Sequence, residues 1–429
     1  MIKKIFFNNK RIRRFRMMEE LEIRQKVVTL HNDLRTVNMP DQYKALFISI
    51  LMLDEVGMLA KDDTDRLIVD ISAVINHRFS GEQAKRIVEK FIKSCTTSLI
   101  CERKNCEKYS LWWFLQQLQE IKMQLKENNT DAISLFYHIF LSYSSGGRNS
   151  LGIVLTPEHI ADFMARTIDV QPGDSILDIC CGTGALLNAA SHYNGGGMLY
   201  GCERDEDIYD MASISQALRY ENMRLFHSDC YKLRSSNPRL MADKGLLNPP
   251  YAMKDHDELE FLLEELKMVR PHGLVAAIIP AKTAYVMSEP YITRRRQLLA
   301  EHTLKAVFSM PDDIFNGNGA TAVTCIMVFE AHVPHDPSEK TFFGFFKDDG
   351  YKKKGKIGRI DEYGKWGEIR QRWLDLYRGN IIMDGVSILA SVGAEDEWLC
   401  EAYLRNDYSR LTEDVFRRTI RDYMAYIIS

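Results

Sequence analysis

The chain lacks several features that would have assigned its class at once. No apolar run approaches the ~18–20 residues that cross a bilayer; the longest, at 45–53 and 273–281, are far shorter. Neither sign of charge is in excess: 56 Lys and Arg stand against 59 Asp and Glu, a net charge of −3. A protein that grips nucleic acid alone is basic over a whole face, so any such role must rest on local patches or on a second subunit. Proline and glycine are sparse, 12 and 25 in 429 residues, which excludes collagen-like and low-complexity chains. The nine cysteines are odd in number and form no C-x-x-C pair, so reduced thiols in a soluble cytoplasmic protein are expected, not a disulfide scaffold. Cys95, Cys101 and Cys106 have the wrong spacing for a zinc knuckle, and no metal site is expected.

Acid is missing from residues 1–16, which carry Lys3, Lys4, Lys10, Arg11, Arg13, Arg14 and Arg16. Ile5-Phe6-Phe7 is too short for a signal peptide, leaving a disordered basic arm or a start called ahead of Met17-Met18 as the two readings. From 17 to 142 apolar residues recur at three- and four-residue spacing, as in 43–53, 82–92 and 111–125, so 1–145 reads as a helical domain. Trp112, Trp113 and Phe114 are packing residues in this reading. Ser and Gly at 144–150 mark a linker.

Between 151 and 332 the pattern changes to short apolar strands alternating with amphipathic helices. Strands are predicted at 175–178, 198–203, 223–227, 245–247, 274–279, 304–308 and 322–329. Such alternation means an α/β unit with a mostly parallel sheet covered on both faces. The last two strands, joined without a helix, suggest an antiparallel edge. Residues 338–429 form a third region with one Phe-rich strand, a basic loop and two helices.

The residues with chemical content gather where these strands end. Asp178-Ile179-Cys180-Cys181-Gly182-Thr183-Gly184 follows the first strand, a glycine turn that lets backbone approach a nucleoside. The dinucleotide fingerprint asks for a third glycine, and position 187 is Leu, which disfavours NAD. Glu203 ends the second strand, where an acid accepts from ribose hydroxyls, and Asp229 follows the third, placed to accept from an adenine amino group. Each acid taken singly reads better as a helix cap. Taken as an ordered set with few bases nearby, they fit a ligand that has ribose hydroxyls and a positive group but no phosphates, which describes S-adenosylmethionine.

The fourth strand delivers Asn248-Pro249-Pro250-Tyr251. A conjugated amino nitrogen is a poor nucleophile because its lone pair is delocalised. Accepting both of its N–H bonds, through the Asn248 side-chain oxygen and the Pro249 carbonyl, turns that lone pair toward an acceptor. The prolines stiffen the loop, and Tyr251 offers a stacking face.

With Leu155-Thr156-Pro157, these segments resemble the gamma-class adenine-N6 DNA methyltransferases, in particular the modification subunit of type I restriction-modification systems. Met310 to Phe315, Ala320 to Phe329 and Asp348-Asp349-Gly350 resemble that family too. The resemblance implies a seven-stranded Rossmann-like S-adenosylmethionine-dependent methyltransferase domain with an all-α N-terminal domain and a small C-terminal extension. It also implies double-stranded DNA as substrate with base flipping, a separate specificity subunit and a possible restriction subunit. By the same likeness Thr156, beside Pro157, sits near the methionine end of the cofactor, and Phe315 helps hold the flipped base. Ile179 and Cys180-Cys181 depart from the family pattern in the loop's fine shape.

Residues 350–356 fit the spacing of a P-loop, but Ile357 stands where a magnesium-binding hydroxyl is needed. Lys352, Lys353 and Lys354 with Arg359 read instead as a phosphate-facing patch or a solvated loop. Arg294-Arg295-Arg296, on a helix, point in different directions. Alternatives left open are a protein-glutamine methyltransferase, cytosine-N4 methylation and a non-catalytic cofactor-binding scaffold.

Overall fold

The computed structural model describes residues 22–39, 41–97, 108–127, 155–217, 222–315, 322–354, 359–404 and 412–428. The basic N-terminal stretch, Cys101, Cys106, the 144–150 linker, Ala320 and residues 355–358 lie outside them.

Helices come first: α1 (22–36), α2 (Asp41–Leu51), α3 (Asp54–Gly57), α4 (Thr64–Arg78), α5 (Gly81–Thr97) and α6 (Leu111–Glu127). The start of α4 is written locally, since Asp63 accepts the Arg66 N–H at 2.9 Å. Its buried face is Leu67, Ile71 and Ile75, one residue per turn. At the centre of this core Phe47 lies 6.0 Å from Phe91 and edge-on to Phe114 at 6.0 Å. Trp112 and Trp113 pack half-buried on its rim, so the aromatic triplet serves the core.

The second unit is one nine-stranded sheet in the order β11 (Ser387–Ala390), β8 (Thr341–Phe345), β6 (Thr303–Ser309), β7 (Thr324–Glu330), β5 (Leu274–Pro280), β4 (Lys244–Leu247), β1 (Ile176–Asp178), β2 (Leu199–Glu203), β3 (Met223–His227). Strands β1, β2, β3, β4 and β5 are parallel to one another. β7 runs antiparallel between β5 and β6. All seven expected strands are therefore present, but the antiparallel pair is not the edge. β8 joins β6 in parallel and β11 joins β8, because the Phe-rich strand buries its side chains best against an existing sheet. β9 (Lys352–Lys353) and β10 (Arg359–Ile360) form a separate two-stranded ribbon.

Helices cover both faces. α7 (Glu158–Thr167), α8 (Ala185–Ser191) and α14 (Trp366–Arg378) pack on the face that receives Ala276, Ile278, Ile326 and Val328. α10 (Cys230–Ser236), α11 (Glu258–Leu266) and α13 (Tyr291–Glu301) pack on the face that receives Val275, Ala277, Cys325 and Met327. That alternation along β5 and β7 is the period-two pattern of buried strands. The short α12 (Lys282–Tyr285) follows β5, and α15 (Glu413–Ile428) ends the described chain. Among the described residues no helix is long and apolar enough to cross a membrane.

The two units meet through α9 (Glu206–Ala217), which puts Ile208, Met211 and Ile214 into the core of the helical unit. Asp210, fully buried at 0% exposure, accepts from Arg86 Nε and Nη2 at 2.9 and 2.7 Å and from Lys90 Nζ at 2.9 Å. Removing one partner of such a cluster leaves the others desolvated and unpaired. Asp210→Ala is expected to destabilise the protein by about 3 kcal/mol and to expose amides of both α5 and α9 to hydrogen exchange. Protection lost in α9 alone would show that the cluster does not join the units.

Candidate active site

Parallel pairing brings the carboxyl ends of β1 to β4 to one side of the sheet, and a cavity of about 610 Å³ opens there. The loop after β1 is held tightly. Cys181 N–H donates to the Cys202 carbonyl at 2.9 Å, and Gly184 N–H to the Cys181 carbonyl at 2.8 Å. Gly182 and Gly184 adopt φ of +53° and +88°, conformations that side chains resist. Leu187, in place of a third glycine, is buried in the core.

The three acids differ in what they do. Asp178 is 1% exposed and accepts the Cys180 N–H at 3.0 Å, so it shapes the loop from beneath. Glu203 lines the cavity and bridges two loops, accepting from Gly182 N–H at 3.1 Å and Asp205 N–H at 2.7 Å. Asp229 both lines the cavity and caps α10, accepting the Tyr231 N–H at 3.0 Å. Capping and facing the cavity are thus compatible, because the carboxylate has two oxygens. Burial pushes the Asp178 carboxyl up to about 8, opposed by its hydrogen bond from Cys180 and reinforced by Glu203. Glu203 is also raised by burial. Behind them Glu265, fully buried and pushed well above the usual carboxylate range by burial, accepts the Ile179 N–H at 3.0 Å.

Asn248, Pro249, Pro250 and Tyr251 all line the same cavity. The Asn248 amide donates through Nδ2 to Thr156 Oγ1 at 2.9 Å, which orients its plane. The Tyr251 hydroxyl donates to the Ile278 carbonyl on β5 at 3.2 Å, and its ring meets Phe315 edge-on at 6.0 Å and 84°. Both groups of the motif are therefore held from outside it.

Of the residues singled out in the sequence, Cys180, Gly182, Glu203, Asp229 and Asn248 to Tyr251 line the cavity. Thr156, Thr183 and Asp178 lie buried behind its wall, and half-buried Pro157 caps α7. Phe315 is 1% exposed; it buttresses Tyr251 and presents no face to a ligand, because packing under that ring encloses it. The basic loop is elsewhere. Lys352 pairs with Asp348 at 3.8 Å, Lys354 pairs with Glu362, and Lys353 stands exposed on β9. Arg359 corrects the phosphate-patch expectation: it is turned inward, bidentate to Asp349 at 2.8 and 2.9 Å, since a buried carboxylate claims it. The three consecutive arginines do diverge, Arg294 to Asp257, Arg295 to backbone carbonyls and Arg296 to Glu395.

Sequence reasoning missed an aromatic wall. Tyr231 stacks on His256 at 4.3 Å and lies 5.3 Å from Phe261, and all three line the cavity. Their one local signal is the position of Tyr231 two residues past Asp229. The neighbouring Cys230 thiol, together with burial, pushes the Cys180 thiol well above the usual range.

The native Asp178 carboxyl, at about 8, holds its proton more tightly than its unfolded counterpart at 3.8. Its contribution to stability is therefore full below the unfolded value and is lost as pH rises toward 8. Asp178→Asn keeps the acceptor for Cys180 and removes the charge. It is expected to melt above wild type at pH 8 and to lose that advantage progressively as pH falls toward 4; a pH-independent difference in melting midpoint would contradict this assignment.

Comparison with known proteins agrees with this geometry. The type II restriction enzyme and methyltransferase RM.BcgI of Heyndrickxia coagulans is 28% identical over 455 residues, covering 95% of this chain and 70% of that one. The methylase subunit of the Escherichia coli type I restriction enzyme EcoEI is 22% identical over 233 residues, and the match spans 47% of each chain. In fold, the methyltransferase subunit of the type I restriction-modification system of Streptococcus thermophilus superposes with a TM-score of 0.60 at 17% identity, over 86% of this chain and 96% of that one. Residues 128–364, more than half of the chain, match the family described as N-6 DNA Methylase, and the protein belongs to that family.

Proposed function

We propose that this protein transfers the methyl group of S-adenosylmethionine to the N6 amino group of adenine in double-stranded DNA, as the modification subunit of a restriction-modification system. The observation that carries the proposal is the juxtaposition of the Asn248–Tyr251 motif, with amide and ring both held, and a cavity walled by Glu203 and Asp229. The lining fits the cofactor: two carboxylates can accept from ribose hydroxyls and an adenine amine, the wall of Tyr231 and Phe261 suits a planar base, and Arg204 is the one Lys or Arg there among the described residues, too little for a di- or triphosphate.

When bound, S-adenosylmethionine supplies a methyl group on a sulfonium that needs no further activation. The protein's part is to present the amine. The Asn248 side-chain oxygen and the Pro249 carbonyl accept its two N–H bonds and localise the lone pair on nitrogen. Buried Pro249 and its neighbour Pro250 restrict the backbone so that these acceptors stay in place. Tyr251, tethered through its hydroxyl, gives the extruded base a fixed plane to stack on. Near-attack alignment of this kind supplies ~7–11 kcal/mol of a barrier without a covalent enzyme intermediate.

A separate specificity subunit is part of the proposal. It accounts for the near-neutral charge and for α15, whose Phe416, Ile420, Tyr423 and Met424 form an exposed apolar stripe at helical spacing, suited to a helix of that subunit.

Two variants separate chemistry from cofactor binding. Asn248→Ala is expected to lower kcat by ~10²–10³, by analogy with loss of one oxyanion-hole donor, while S-adenosylmethionine binding is kept. Glu203→Ala is expected to weaken that binding ~10–100-fold, for one or two hydrogen bonds to a charged acceptor. Single-turnover transfer and calorimetric titration measure the two effects, and an unchanged rate for Asn248→Ala would sink the assignment. In the native host, polymerase-kinetic sequencing of unamplified DNA should lose N6-methyladenine at one sequence motif when the gene is deleted. An unchanged methylation pattern with the gene expressed would overturn the DNA substrate.

A further inference from the structure

The two groups of the catalytic motif are held by Thr156 and Phe315, and both holders run into one buried cluster. Three residues past Thr156, on the first turn of α7, His159 places Nε2 2.9 Å from Asp349 Oδ2. Two residues before Phe315, Asp313 lies 3.0 Å from Arg359 Nη2. Asp349, 1% exposed, joins the two halves by accepting from Arg359 Nη1 at 2.9 Å and Nη2 at 2.8 Å. Tyr351 closes the cluster, its ring stacked 3.8 Å from His159 at 12° and its N–H donating to Asp349 Oδ1 at 3.0 Å. Burial alone would raise the Asp349 carboxyl, but the hydrogen bonds from His159 and Arg359 hold it down at about 2, so it stays charged.

None of these side chains lines the cavity. A buried ion pair is in general a weak source of stability, and apolar residues of equal volume would tie the C-terminal ribbon to α7 as well. What a guanidinium fork on a carboxylate adds is direction, because two parallel hydrogen bonds fix one planar geometry. Here that geometry spans the segment holding Asn248 and the segment holding Tyr251.

We propose that Asp349 and Arg359 are positioning residues for methyl transfer, acting through His159 and Asp313 to keep the Asn248 amide and the Tyr251 ring aligned with each other. This deepens the functional proposal above and rests on it. The link is mechanical: a shift of Asp313 moves the segment that carries Phe315, and a shift of His159 moves the start of α7 beside Thr156.

The test uses the enzyme purified from its native host with its co-purifying subunits, labelled S-adenosylmethionine, and genomic DNA from a host lacking the gene. Asp313→Asn is the decisive variant, since that side chain is 41% exposed and its loss leaves Asp349, Arg359 and His159 together. It is expected to lower kcat roughly tenfold, as a small misalignment does, with KM for S-adenosylmethionine and melting midpoint unchanged. Arg359→Ala should fall further, and Arg359→Lys, which keeps the charge without the fork, should recover part of the loss. An Asp313→Asn enzyme as fast as wild type overturns the inference alone. So does a rate loss matched by weaker cofactor binding or lower stability. A wild-type complex that binds S-adenosylmethionine yet methylates no DNA overturns the functional proposal and this inference with it.

Discussion

In a parallel ladder adjacent strands finish at the same edge, and in this protein everything at the site depends on that. Asp178 stands opposite Gly201 on β2, and Glu203 opposite His227 on β3, so the turns that follow these strands emerge as neighbours. β4 pairs on the other side of β1 and brings Asn248 out beside them. Four segments from 178 to 251 thereby share one cavity with no need for long-range loops. Right-handed crossovers place the intervening helices on the faces, leaving this edge open.

The open edge gathers buried and half-buried acids. Asp178, Glu203 and Glu265 lie close together, each raised by burial. Such a grouping lowers the stability of the unliganded site, and perturbed carboxyls of this kind cluster at functional sites. Rigidity comes from around it. The helical unit clamps α9, the helix that leaves directly after Glu203, through Arg86 and Lys90 on Asp210. On the other flank α7, the ribbon and the segment before Phe315 converge on the Asp349–Arg359 pair. Two ion-paired anchors thus support the elements that carry the site, Arg86 and Lys90 on Asp210 and Arg359 on Asp349.

Much of this was legible in the residues. Strand positions followed from short apolar runs, and the seven strands appear within a residue or two of expectation because most of them are buried on both faces and leave little room for polar interruption. The glycine turn and the Asn-Pro-Pro-Tyr string were legible because their chemistry is contiguous. The sheet's extension by β8 and β11 was not, since a five-residue Phe-rich strand carries no label for the neighbour it will choose. Nor was the aromatic wall, whose members Tyr231, His256 and Phe261 come from separate segments.

The sequence by itself determined the alternation of strand and helix, the conformation of the loop through Gly182 and Gly184, and the chemistry available at Asn248 and Pro249, since each of these depends on residues near one another in the chain. Only the tertiary structure decided which candidates face the cavity and which stand behind it. Asp178 and Phe315 were enclosed by packing, Arg359 was captured by a buried carboxylate, and Thr156 met Asn248 from 92 residues away. Burial and pairing are properties of the neighbours that folding assembles, and a linear pattern does not carry them.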